Sequence, residues 1–228
     1  APPPVPQCLP DMTEEKLLIA IDRTAQLHEA VAAHVDGLIP FPEKRFVVSF
    51  QAGLLSLDHA RGALILIGNR LGTSALSLLR PQYESLVRGI WLLHAATDNW
   101  VDKLGEPLTV ESARRANEGP MLAEMLKQLD ASDAPAHLID QLKQFKDVSW
   151  KALSSYTHGG LHPLARTLSG FPVQLAIDAM RNSNALVCIA AQLTAILTGD
   201  PQRNMPAVRK LHVDFADCTP IIKPHVEA

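Results

Sequence analysis

Apolar residues recur at three- and four-residue intervals through most of this chain, the spacing of helices rather than strands. Leu17, Leu18, Ile21, Leu27, Val31 and Val35 follow Asp11-Met12-Thr13-Glu14-Glu15, which supplies a cap and acidic residues for a first turn. Gly37 and the Pro40/Pro42 pair close this first predicted helix. A second helix is predicted over Glu43–Arg70, carried by Phe46, Phe50, Leu54, Leu57 and Arg61. Its runs Phe46-Val47-Val48 and Leu64-Ile65-Leu66-Ile67 have strand propensity, but no turn chemistry brackets them. Gly72-Thr73-Ser74 breaks the chain and caps a third helix from about Ser74 to Trp100. Pro81 inside it predicts a kink or the helix's true start.

Asp102–Pro107 reads as a loop, and Thr109-x-Glu111 caps a fourth helix through about Asp130, interrupted at Gly119-Pro120. Ser132-Asp133-Ala134-Pro135 separates it from a fifth, which runs to about Thr157. The stretch from Tyr156 to Pro163, with Gly159 and Gly160 inside it, predicts a loop or sharp turn. A last long helix covers about Val173–Leu197. With about six helices and no credible strand, the predicted class is all-α, an antiparallel helical bundle.

Proline placement divides the chain. Pro2, Pro3, Pro4, Pro6 and Pro10 predict an extended or mobile arm over 1–10. One helical domain over 11–198 follows, and then a loosely packed tail over 199–228 that carries Pro201, Pro206, Pro220 and Pro224. A chain of 228 residues, 47% hydrophobic, fits one domain with a sizeable core. Its 21 basic and 24 acidic residues leave a net charge of −3, which excludes the strong positive field of a histone-like binder. Cys8, Cys188 and Cys218 form no CxxC and no disulfide framework, which predicts a reducing, cytoplasmic setting. The longest apolar stretch, Ala185–Leu197, is too short to span a bilayer and contains Gln192 and Thr194, so no membrane segment is expected. The opening APPPVPQCLP has no basic and apolar regions of a signal peptide.

Two groups of residues could carry chemistry. Between Arg80 and His94, a helical wheel at roughly 100° per residue puts Arg80, Glu84, Arg88 and Trp91 in one sector. Leu79, Leu86, Ile90 and Leu93 form the adjoining apolar sector. Glu84 could therefore hold Arg80 or Arg88 ready for a phosphate or carboxylate. The same spacing also describes an intrahelical salt-bridge ladder. The second group is Ser154-Ser155-Tyr156-Thr157-His158-Gly159-Gly160-Leu161-His162. His158 could exchange a proton near neutral pH, and Tyr156 or Ser155 could donate to a developing negative charge. The competing assignment is a helix C-cap, with Gly159 in the left-handed conformation and His158 at the negative end of the helix dipole. His158-x-x-x-His162 is interrupted by two glycines and has no ExxH beside it, so no metal site is expected, and no cofactor motif is present.

The layout of Arg80-x-x-x-Glu84 followed later by Ser154-x-Tyr156-x-His158-Gly159 resembles uncharacterised bacterial all-α families related to the HEPN group, the higher eukaryote and prokaryote nucleotide-binding domains. The resemblance covers about Gly72 to Leu197. It implies a HEPN-like bundle and, as partners, RNA or a nucleotide and a second copy in a homodimer. Many HEPN proteins are metal-independent ribonucleases of phage-defence and toxin systems, with an Arg followed four to six residues later by His. Arg88 and His94 match that spacing, but on a middle helix and with Gly89 after the arginine.

Two functions follow from these residues. In one, Arg80 and Arg88 neutralise phosphate, Glu84 orients them, and His158 with Tyr156 or Ser155 acts on RNA or a nucleotide. In the other, the chain is a non-catalytic binding or assembly module, and Arg80-Glu84-Arg88 meets Tyr156/His158 as a structural polar clasp. Both require the two groups to meet in space.

Overall fold

The computed structural model describes residues 12–114 and 119–220. The proline-rich arm and the Asp11 cap lie outside the described residues, as does the end of the tail. Ten α-helices and one 3-10 turn are present, with no strand among the described residues. They are α1 (Met12–Asp36), α2 (Lys44–Gly68), α3 (Gly72–His94), α4 (Asp98–Leu104), α5 (Val110–Arg114), α6 (Leu122–Asp130), α7 (Ala136–Thr157), α8 (Leu161–Ser169), α9 (Val173–Ile196) and α10 (Pro201–Asp214). The 3-10 turn Ala216–Cys218 follows α10.

Helix α3 lies at the centre. It pairs with α2 as an antiparallel hairpin, because small residues on both helices let the backbones approach. The Ser49 hydroxyl donates to the Gly89 carbonyl at 2.7 Å and the Ser56 hydroxyl to the Gln82 carbonyl at 3.0 Å. A Cβ built at Gly89 would stand 2.9 Å from Leu193 Cδ2 and 3.2 Å from the Ser49 carbonyl oxygen, so only glycine fits where α2, α3 and α9 converge. Helix α9 crosses both and packs on α1, with Ala176, Ala179, Ala190 and Ala191 buried. On its other flank α3 takes α6 and α7. The Trp91 indole donates to Gln128 Oε1 at 2.7 Å, and the Tyr83 hydroxyl to the Leu142 carbonyl at 2.6 Å.

Where the structure departs from the sequence-based expectations, each departure has a local cause. Among the described residues the helix count is ten rather than about six. The third helix ends at His94, and Trp100 belongs to α4, where its ring packs edge-on against Trp91 with centroids 6.3 Å apart. Helix α3 continues on both sides of Pro81, so Pro81 does not mark its start. The predicted loop before Pro163 is a turn of three residues, 158–160, followed at once by α8. Pro163 is the third residue of α8, where a backbone N–H would lack an intrahelical partner in any case.

The tail is not loosely packed as far as residue 220. Asp200 caps α10, its side chain accepting from the Arg203 N–H at 3.2 Å, and Pro201 occupies the first position of the helix. Val208, Phe215 and Cys218 are buried, and the Asn184 amide donates to the Cys218 carbonyl at 2.9 Å. Arg23 stacks over the Phe215 ring, 4.4 Å from its centre.

Candidate functional site

Because α7 runs antiparallel to α3, its last turns lie beside the first half of α3. Trp150, Ser154 and His158 follow one another at four-residue intervals, so they form one stripe along α7. That stripe faces Arg80. The Arg80 guanidinium lies over the Trp150 ring, 4.4 Å from its centre. Its Nε donates to Glu84 Oε1 at 3.0 Å, and Nη1 donates to Ser154 Oγ at 3.3 Å and to His158 Nε2 at 2.8 Å. The Arg80 and Glu84 side chains are 19% and 33% exposed, while His158 is exposed.

The contact sets the direction of the hydrogen bond to the imidazole. A guanidinium only donates, so Nε2 of His158 must accept, and the ring proton sits on Nδ1. Held this way, Nε2 of His158 offers no free lone pair to a substrate proton. Below it, Gly160 N–H returns to the Ser155 carbonyl at 2.8 Å across Gly159 (φ 68°), closing the predicted glycine cap.

The remaining predicted residues lie elsewhere. The Ser155 hydroxyl accepts from the His162 N–H at 3.2 Å and so caps the start of α8. A Cβ on Gly160 would stand 2.6 Å from that oxygen. The Tyr156 ring is buried in a second core cluster with Leu76, Leu79 and Leu153, and lies 5.9 Å from the His162 ring. Arg88 is half-buried beside Gly119, one turn beyond Glu84, and makes no hydrogen bond or ion pair with any described residue. Trp91 shares the wheel sector but is fully buried, and His94 Nδ1 lies 3.5 Å from Asp133. Trp150 is the member of the cluster that the sequence analysis did not select, and Ser154 was named there without a role, although their spacing with His158 was readable.

A second concavity opens between α1, α9 and the 3-10 turn, lined in part by Lys16, Arg23, Arg181, Asp217 and Cys218. Arg23 grips Asp217 through two N–H donors at 2.8 and 3.0 Å, which holds the Asp217 carboxyl below the usual carboxylate range. Nothing in the sequence signals this grouping, since it joins segments about two hundred residues apart. Burial pushes the Cys188 thiol up to about 12, which removes it as a nucleophile. Among the described residues, no three His, Cys, Asp or Glu side chains are grouped to hold a metal, and no helix is long and apolar enough to cross a membrane.

His28 carries a pH-dependent part of the stability. Burial lowers its pKa to about 4 against an opposing pull from Asn184 and with a smaller push from Arg61, and its Nε2 makes no hydrogen bond among the described residues. The folded value lies below the unfolded 6.5, so the contribution is complete above pH 6.5 and is lost as pH falls toward 4. We expect about 2–3 kcal/mol less stability at pH 4.5 than at pH 7.5 from this group. Urea unfolding of the native chain and His28→Gln at both pH values checks it; an equal loss in both proteins would contradict it.

Fold and cluster together define an all-helical protein in which an arginine-centred polar group joins two helices. Residues 53–221 match the model of a family of unknown function, DUF6988, and the chain belongs to that family. No curated protein and no solved structure matches it.

Proposed function

We propose that this chain is a non-catalytic helical binding or assembly module, in which the Arg80 cluster clasps α7 to α3 and fixes the turn that presents α8. The observation that supports this reading is the engagement of Arg80 with side chains of both helices. Arg80 spends one face on Trp150 and three N–H bonds on Glu84, Ser154 and His158. The would-be catalytic groups have structural partners too: Ser155 caps α8, and Tyr156 fills the core. A site prepared for a substrate keeps its donors and its base free; here Nε and Nη1 of Arg80 and Nε2 of His158 are committed to one another and to neighbouring side chains.

A second reading places RNA or a nucleotide phosphate against Arg80 and Arg88, as in a HEPN-like phage-defence or toxin-type ribonuclease. Arg88, unpaired among the described residues, favours it. The two readings separate in one assay. Incubated with a mixed RNA pool in EDTA, the purified chain should leave the RNA intact, with no difference between native protein and His158→Ala. Metal-independent cleavage abolished by His158→Ala would overturn the clasp reading.

A further inference from the structure

Helix α8 wears its apolar face outward. At roughly 100° per residue, Leu161, Leu164, Ala165 and Leu168 share a sector about 100° wide. The three leucines are 79%, 63% and 95% exposed, whereas Pro163, on the opposite side, is buried. An amphipathic helix in a finished monomer buries its stripe, and a contiguous apolar stripe left in water marks a contact surface. Glycines bound the helix on both sides: Gly159 and Gly160 before it, and Gly170 (φ 77°) after it.

We propose that a second copy of this chain covers the stripe, the two α8 helices packing antiparallel across a twofold axis. This deepens the assembly reading and rests on it. The stripe is self-complementary, which a twofold interface demands. An axis passing between Leu164 and Ala165 sets Leu161 against Leu168 of the other copy, and Leu164 against the small Ala165, so that each large side chain meets its counterpart or a gap. The area is also sufficient. Six leucines at about 100 Å2 of apolar surface each give about 600 Å2. At the roughly 60% apolar share of such interfaces, that implies about 1,000 Å2 in all, the lower bound for a specific contact. A lipid surface is a poorer occupant, since α8 carries one arginine and no lysine and the chain's net charge is −3.

Sedimentation velocity of the full chain over about 1 to 100 μM tests this, the range in which an interface at that lower bound dissociates. The native chain should shift from monomer to dimer. Leu168→Glu should weaken the dimer at least tenfold with its urea midpoint unchanged at a concentration where both chains are monomeric, because the side chain is 95% exposed in the monomer. A native chain that stays monomeric at about 100 μM overturns the proposal, and so does a dimer indifferent to Leu168→Glu. A monomer that instead co-sediments with phosphatidylglycerol vesicles overturns it in favour of lipid. The clasp fails separately: if Leu168→Glu dissociates the dimer and Arg80→Ala does not, the α8 interface stands, and the claim that Arg80 sets α8 in place falls.

Discussion

Replacing Gln82 with alanine should lower the unfolding free energy by about 4 kcal/mol, the largest single-residue loss expected of a polar group in this protein. Gln82 is fully buried at the centre of α3. Its amide donates to the Ser183 carbonyl at 3.0 Å and accepts from the Ser183 hydroxyl at 2.8 Å, tying α3 to α9. On the other side, its own carbonyl receives the Ser56 hydroxyl from α2. Truncation removes the amide, leaves the buried Ser183 hydroxyl without its partner at about 1–3 kcal/mol, takes a second donor from the Ser183 carbonyl that α9 already bonds, and opens a cavity besides. Gln82→Met, which fills the space, should cost less, and adding Ser183→Ala should recover part of the loss by removing the stranded hydroxyl. Urea midpoints of the three variants measure this; a Gln82→Ala loss under about 1 kcal/mol would show the network to be dispensable.

Arg80→Ala should cost about 2–3 kcal/mol. The stacking on Trp150 accounts for about 1 kcal/mol, and the charge-assisted bonds to Glu84 and the α7 stripe for the rest. The figure lies below the 3–5 kcal/mol of a broken buried pair because Glu84 is a third exposed and water solvates it once Arg80 is gone. Arg80→Lys keeps the charge but loses the planar stack and the fork of donors, so it should recover less than half of the loss. His158→Ala should be nearly neutral, since the ring is exposed and Arg80 retains its other partners.

Much of the helical frame is legible in the sequence because local signals and burial agree there. Periodicity and glycine or proline punctuation place the ends of α1, α2, α7 and α9 within a few residues. The break between α3 and α4 falls in Ala95-Ala96-Thr97, which has neither glycine nor proline, and the chain turns there so that Trp100 can reach Trp91. Helices α8 and α10 hide behind prolines that read as breakers, yet sit in first turns where no N–H is missed or, at Pro206, within a helix already packed on α9.

The meeting of Arg80 with His158 was readable from residue chemistry, but its membership was not. Consecutive helix residues point roughly 100° apart, so with Ser154 and His158 facing Arg80, Ser155 and Tyr156 must face α8 and the core. Antiparallel packing likewise removes Arg88, since eight residues along α3 carry it about 12 Å away from the end of α7.

Equilibrium urea unfolding of Arg80→Ala beside the native chain at pH 7.5 tests the clasp most directly. Our account predicts a loss of about 2–3 kcal/mol with no change in RNA integrity. A loss within about 0.5 kcal/mol, together with lost RNA binding or cleavage, would show that Arg80 is held for a ligand and not for α7.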